Sequence, residues 1–175
     1  MNYLFCLVSL LGAFLLFQVQ PVISKFILPW YGGSPGVWTT CMVFFQMLLF
    51  GGYCYAHVLS RRKAATQAWV HLALLVLAVV VLPIVPGAAM RPGGTDNPVW
   101  QILLLLLATV GLPYFVLSAT SPLVQVWYSR VYPERQPWRL YALSNAGSLT
   151  ALLMPPTVKR LARICPSRPS RKIIE

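Results

Sequence analysis

The sequence predicts an all-α fold, a polytopic transmembrane bundle of about five helices. Three observations lead there. Of 175 residues, 58% are hydrophobic and 10% charged, with a mean hydropathy of +0.68. A soluble domain is about 25% charged, and one of this size must leave a large share of its residues in water. Second, the apolar residues fall into runs long enough to cross a bilayer, ended by proline, glycine or charge. Third, the 14 Lys and Arg residues cluster between those runs, with Lys25 the exception. Such a composition excludes a disordered chain, a secreted disulfide scaffold and an ordinary cytosolic enzyme.

The first span covers 3–28, and residues 3–17 carry no charge. It has no basic leader and no small-x-small cleavage site, so it reads as a retained helix, not a signal peptide. Pro21 falls inside the run and is expected to kink or interrupt it. Trp30, Tyr31, Gly32 and Gly33 read as a tight turn with interfacial aromatics. Ser34 followed by Pro35 reads as an N-cap with proline at the first helical position. The second span covers 35–59, and Arg61, Arg62 and Lys63 stop it.

The third span covers 67–85. Its middle, Leu72 to Leu82, holds only Leu, Val and Ala. The fourth covers 98–129, roughly 48 Å if straight, against a hydrocarbon core of about 30 Å. Gly111, Pro113 and Pro122 predict a kinked or tilted helix there, with one end outside the core. The fifth covers 140–154 and is short for a crossing. Pro155 and Pro156 end it. Residues 155–175 form a basic tail that reads as disordered.

The formal net charge is +11. Its pattern argues for topology and against nucleic acid, because the cations flank apolar runs and form no basic face. Placing Arg61–Lys63 in the cytoplasm puts Arg130, Arg135 and Arg139 there too, and the N-terminus with them. Only Arg91 then lies in an outer loop. The tail conflicts, since five crossings would place it outside. Either the fifth segment does not cross, or the tail is an abnormal end. Cys6, Cys41, Cys54 and Cys165 form no C-x-x-C pair and read as packing residues. His57 and His71 have no ligand-spaced partners and read as interfacial. Neither a metal nor a cofactor is implied.

Polar side chains within spans are expected to face protein or a cavity. Gln18 and Lys25 share a face of the first span. Thr39, Gln46, Tyr53 and His57 share one on the second. Gly111, Ser118, Ser121 and Gln125 line up on the fourth, and Tyr141, Ser144, Asn145 and Ser148 on the fifth. The third shows no stripe and is expected outermost, against lipid. The expected polar seam, a binding surface if it is one, is Gln18, Lys25, Trp38, Thr39, Gln46, Tyr53, Ser118, Ser121, Gln125, Tyr141 and Asn145. It reads either as interhelical hydrogen-bond glue or as the wall of a small-molecule cavity. Lys25 reads either as an anion contact or as a side chain snorkelling to the interface. No carboxylate lies within a span, which leaves the spans poorly equipped for a cation. Nucleophilic triads, phosphate loops and zinc motifs are missing.

Several strings in fixed order resemble a known family. They include Gln20-Pro21, Leu28-Pro29-Trp30, Gly32-Gly33-Ser34-Pro35 and Val37-Trp38-Thr39-Thr40-Cys41. Phe45-Gln46 and Gly52-Tyr53-Cys54-Tyr55-Ala56-His57 follow. Then come Gly111-Leu112-Pro113-Tyr114-Phe115, Ser118-Ala119-Thr120-Ser121-Pro122-Leu123 with Gln125 and Trp127, and Arg139-Leu140-Tyr141-Ala142-Leu143-Ser144-Asn145 with Gly147-Ser148-Leu149. Over about residues 5–154 the chain resembles the membrane region of bacterial fused proteins, in which a major-facilitator-like helical part precedes a spermidine-synthase-like domain. The resemblance implies part of a major-facilitator-type half in a bacterial inner membrane. It implies a non-enzymatic module, since no matching position belongs to the synthase-like part and no catalytic residue carries over. It also implies a chain truncated or frameshifted after about Pro155. The expected partners are the lipid bilayer and either further copies of the chain or a separately encoded synthase-like enzyme. No substrate follows from it.

Overall fold

The computed structural model describes residues 2–82, 97–134 and 138–154, all helix or turn. Helix α1 (Asn2–Ile27) leads through a single 3-10 turn, Leu28–Trp30, toward α2 (Pro35–Ser60). Gly32 and Gly33 make the reversal with φ of +84° and +63°, the left-handed region that glycine enters without a Cβ penalty. Gly33 N–H closes the turn on Leu28 O at 2.9 Å. Tyr31 packs into this turn, and burial pushes its phenol above the ordinary value. Ser34 is the N-cap of α2 with Pro35 behind it, but its hydroxyl makes no capping bond.

Helix α3 (Ala64–Val80) follows a short turn. Then α4 (Pro98–Leu106), a π-helical segment (Leu107–Gly111) and α5 (Leu112–Val131) form one continuous rod, and α6 (Trp138–Leu153) follows. Asn97 caps α4 by accepting from Val99 N–H at 3.1 Å. Three stretches are long and apolar enough to cross a bilayer: Tyr3–Trp30, Pro35–Ser60 and Pro98–Val131, of 28, 26 and 34 residues. With 17 residues in α3 and 16 in α6, those two reach only ~26 and ~24 Å.

One expectation about breakers needs correction, that Pro21 interrupts its helix. Pro21 lies inside α1 without interrupting it. The ring removes the bond to Phe17 O, but α1 is wedged between two neighbours that hold its course, and apolar surroundings tolerate the loss. Pro122 likewise lies inside α5. The fourth span also carries a π turn, whose last residue, Gly111, lies two before Pro113. A proline ring clashes with the carbonyl four residues earlier, here Thr109 O, and a widened turn relieves that clash. Thr109 Oγ1 donates to Leu105 O at 2.7 Å within it. The third span begins earlier than expected, at Ala64, and residues 83–85 lie outside the described residues, as does the tail.

Successive helices run in opposite directions, so α1 and α6 are parallel neighbours, and so are α2 and α5. Ser9 Oγ donates to Leu140 O at 3.3 Å near one end of the α1–α6 pair. Gln18 Nε2 donates to Ala151 O at 2.8 Å near the other. Helix α6 therefore runs the length of the α1 contact and does not fold back. The α4–α5 rod is the most buried of the three long stretches. Toward one end Phe45, Tyr114, Ile27, Leu106 and Val110 pack into the main core, and Ala56, Leu59, Ala119 and Leu123 form a second cluster toward the other. Helix α3 is peripheral, resting on α5 and lightly on α2. The remaining surface is strongly apolar: Leu4, Leu7, Leu11 and Leu15 on α1, Met47 and Phe50 on α2, and Leu72, Val76 and Val79 on α3 are all exposed. A belt of that kind suits contact with lipid.

Small residues set the closest contacts. A Cβ on Gly52 would lie 1.9 Å from Ser118 Oγ and 3.1 Å from Phe115 O; one on Gly147 would lie 2.5 Å from Leu10 O, while one on Gly12 meets nothing within 4 Å. Backbone atoms cannot rotate aside, so Gly147→Ala is expected to force α6 off α1, at a cost of roughly 1–3 kcal/mol. Gly12→Ala is expected to be neutral or slightly stabilising. Thermal unfolding of the two variants in the same detergent checks the contrast.

Candidate functional site

Four helices converge on a partly open cavity of ≈ 250 Å³ near mid-height. Gly12, Ala13, Leu16 and Phe17 of α1 and Leu117 of α5 supply its apolar floor; Tyr53, Ser118, Ser121, Ser144, Asn145 and Ser148 supply its polar wall. Ser118 Oγ donates to Phe115 O at 2.7 Å, and Ser148 Oγ to Ser144 O at 3.0 Å. Their hydrogens are thus used within their own helices, and their lone pairs remain to accept. The Tyr53 phenol, the Ser121 and Ser144 hydroxyls and the Asn145 amide make no hydrogen bond among the described residues. The lining has donors and acceptors and no charge.

Of the expected seam, the structure therefore brings Tyr53, Ser118, Ser121 and Asn145 together. Gln125 and Tyr141 meet in a second, shallower groove between α5 and α6, with Pro122, Val126 and Ser129. The others lie elsewhere. Gln18 is spent on Ala151 O in the α1–α6 contact. Lys25 is exposed near the Gly32–Gly33 turn. Trp38, Thr39 and Gln46 are exposed on α2, and Thr39 Oγ1 donates back to Pro35 O at 3.0 Å. The stripe through Thr39, Gln46 and Tyr53 does not turn inward. The buried face of α2 runs through Val37, Cys41, Phe45, Gly52, Ala56 and Leu59. At about 100° per residue that face lies almost opposite the stripe, and only the long Tyr53 side chain reaches the cavity from its flank.

The sequence reading missed a second polar centre, between α2, α3 and α5. Gln67 is 0% exposed. Its Nε2 donates to Ser60 O at 3.0 Å and Arg62 O at 2.6 Å, and its Oε1 accepts from Trp127 Nε1 at 2.8 Å. One turn on, His71 is 3% exposed and held within the bundle. Its Nε2 lies 3.1 Å from Thr120 Oγ1, whose own hydrogen goes to Val116 O at 2.8 Å. Nε2 must therefore donate, which leaves Nδ1 as a lone-pair acceptor, and Nδ1 has no partner among the described residues. The Tyr55 ring stacks on the imidazole at 6.3 Å and Trp127 meets it edge-on at 6.3 Å. Gln67 and His71 are four apart and share a face of α3, a signal masked by the uninterrupted apolar run that follows. Gln20 was missed too: its Nε2 donates to the buried Tyr114 hydroxyl at 2.6 Å.

Comparison of the chain with protein-family models, with curated proteins and with solved structures found no match.

Removing the Gln67 amide strands the Trp127 N–H and the Arg62 carbonyl. Gln67→Leu is expected to destabilise the bundle by roughly 1–3 kcal/mol, measured by unfolding in mixed detergents. Nitrogen NMR of His71 in the wild-type protein is expected to show the Nε2–H tautomer.

Proposed function

We propose that this chain is a non-enzymatic, transporter-like membrane module whose central cavity takes a small, uncharged solute bearing hydroxyl or amide groups. The cavity carries the reading: hydroxyls and an amide from α2, α5 and α6, four of those groups without internal partners, converge over an apolar floor on α1. Sites at mid-height between helices are where membrane carriers hold their cargo. A lining without charge favours a neutral guest, because an ion placed there finds no counter-charge to offset its desolvation. The resemblance to the membrane region of fused spermidine-synthase proteins supports a bacterial inner-membrane location with the N-terminus in the cytoplasm, and so does the gathering of Arg61, Arg62, Lys63 and Arg130 at one end of the bundle.

A second reading, an anchoring module, is favoured by the outward stripe on α2. Gln46 is exposed on a long apolar helix, and a carboxamide facing hydrocarbon calls for a polar partner on another membrane helix. A further copy of the chain or a synthase-like partner supplies it in this reading.

Reconstituted into proteoliposomes, the protein is expected to give saturable flux of small polyols or amides and none of choline. Asn145→Leu and Ser121→Leu are expected to lower that flux about five- to tenfold, the worth of one hydrogen bond each. Flux no higher than in empty vesicles, with a dimer by crosslinking at Gln46→Cys, would select the anchoring reading.

A further inference from the structure

Cations gather where α2, α3 and α5 meet. Arg61, Arg62 and Lys63 make the α2–α3 turn, and Arg130 lies in the last turn of α5; the neutral His57 lies one turn back on α2. The turn is held rigidly. The buried Gln67 amide binds Ser60 O and Arg62 O at 3.0 and 2.6 Å. Arg130 Nη2 donates to the same Ser60 O from the neighbouring helix. Arg61 Nη2 lies 3.0 Å from His57 Nε2, and because a guanidinium only donates, that nitrogen accepts. Guanidiniums from two helices are thus drawn to the last turn of α2, while Arg62 and Lys63 are exposed beside them, their side chains without a partner among the described residues. Glu134, the single carboxylate among the described residues, forms no ion pair with any of them.

So much positive charge on a fixed scaffold, uncompensated within the described residues, calls for an anion. The surroundings indicate which kind. Val58 is exposed on α2 just before the turn, and Trp69, 72% exposed, lies on α3 beyond it. Six residues separate Trp69 from Lys63, about 9 Å along the helix. An exposed tryptophan at that spacing marks the depth where headgroups give way to acyl chains. We propose that this turn is a binding site for the phosphate of an anionic phospholipid, with Arg61, Arg62, Lys63 and Arg130 around the headgroup and Val58 and Trp69 against the upper acyl chain. A phosphate suits the donor set, because a guanidinium offers it two parallel N–H bonds and the lysine a point charge. The site lies away from the central cavity and stands whether or not that cavity carries a solute.

The test offers the full chain, in non-ionic detergent, an equal mixture of phosphatidylglycerol and phosphatidylcholine, and counts the retained lipids by native mass spectrometry. The wild type is expected to prefer phosphatidylglycerol by at least about fivefold. Arg62→Gln is expected to weaken that preference and Arg62→Gln with Lys63→Gln to abolish it. Lys25→Gln, which removes one charge at the opposite end of the bundle, is expected to leave it intact, as is the charge-preserving Arg62→Lys. Equal retention of the two lipids by the wild type would overturn the proposal. So would an equal loss in Lys25→Gln and Arg62→Gln, which would make the preference one of net charge alone. Displacement of the lipid by excess inorganic phosphate would identify a free anion, not a headgroup, as the occupant.

Discussion

A polar atom held within hydrocarbon has to find its partner inside the protein, because no water is there to take the place of one. That requirement organises this bundle more than apolar packing does, since lipid tails compete with side chains for every apolar surface. Its effect is visible at three glutamines. Gln18 and Gln20 leave α1 on opposite sides, one to Ala151 O of α6 and the other to the Tyr114 hydroxyl of α5. They fix α1 between those two helices, which is why a proline one residue further on does not break it. Gln67 does the same for the peripheral helix α3, which touches the bundle along one narrow face and is pinned there by its bonds to the end of α2 and to Trp127. Close approach completes the fixing, because Gly147 lets α6 reach the α1 backbone and Gly52 lets α2 reach Ser118.

The helices were legible from composition, because a run of apolar residues ended by proline, glycine or arginine has few alternatives to an apolar helix, and three of them are long enough to cross a bilayer. The turn at Gly32–Gly33, the start at Pro98 and the irregularity before Pro113 all rest on local backbone chemistry that a sequence displays directly. What a sequence does not display is which way a stripe points. Ser118 and Ser121 proved inward because α5 is short of apolar residues on that side, and Asn145, itself exposed, borders the same cavity from α6. The stripe on α2 looked equivalent, yet its helix has a second face, from Val37 through Phe45 to Leu59, with larger apolar groups and two small residues for close contact. The larger face took the core, and Gln46 was left outside. The reverse error occurred at α3, where a long run of Leu and Val concealed the Gln67–His71 pair. Only two polar residues were needed there, because the groups they meet lie on other helices.

Helix α5 stands between the two polar centres. Ser118, Ser121 and Gln125 project from one side toward α1 and α6; Thr120 and Trp127 project from nearly the opposite side toward His71 and Gln67 of α3. A helix so placed has apolar residues left for only part of its circumference, which accounts for its low hydropathy beside that of α4. It is also the helix with the most interrupted backbone. Pro113 removes the donor that Thr109 O would use, and Pro122 removes the one for Ser118 O. Ser118 is the residue against which Gly52 packs and whose hydroxyl is turned back to Phe115 O. The loss of a backbone bond, a close interhelical approach and the wall of the cavity therefore coincide at one turn. Small side chains make that coincidence possible: a bulkier residue at 118 would fill the cavity and push α2 away, and a bulkier one at 52 would do the second alone.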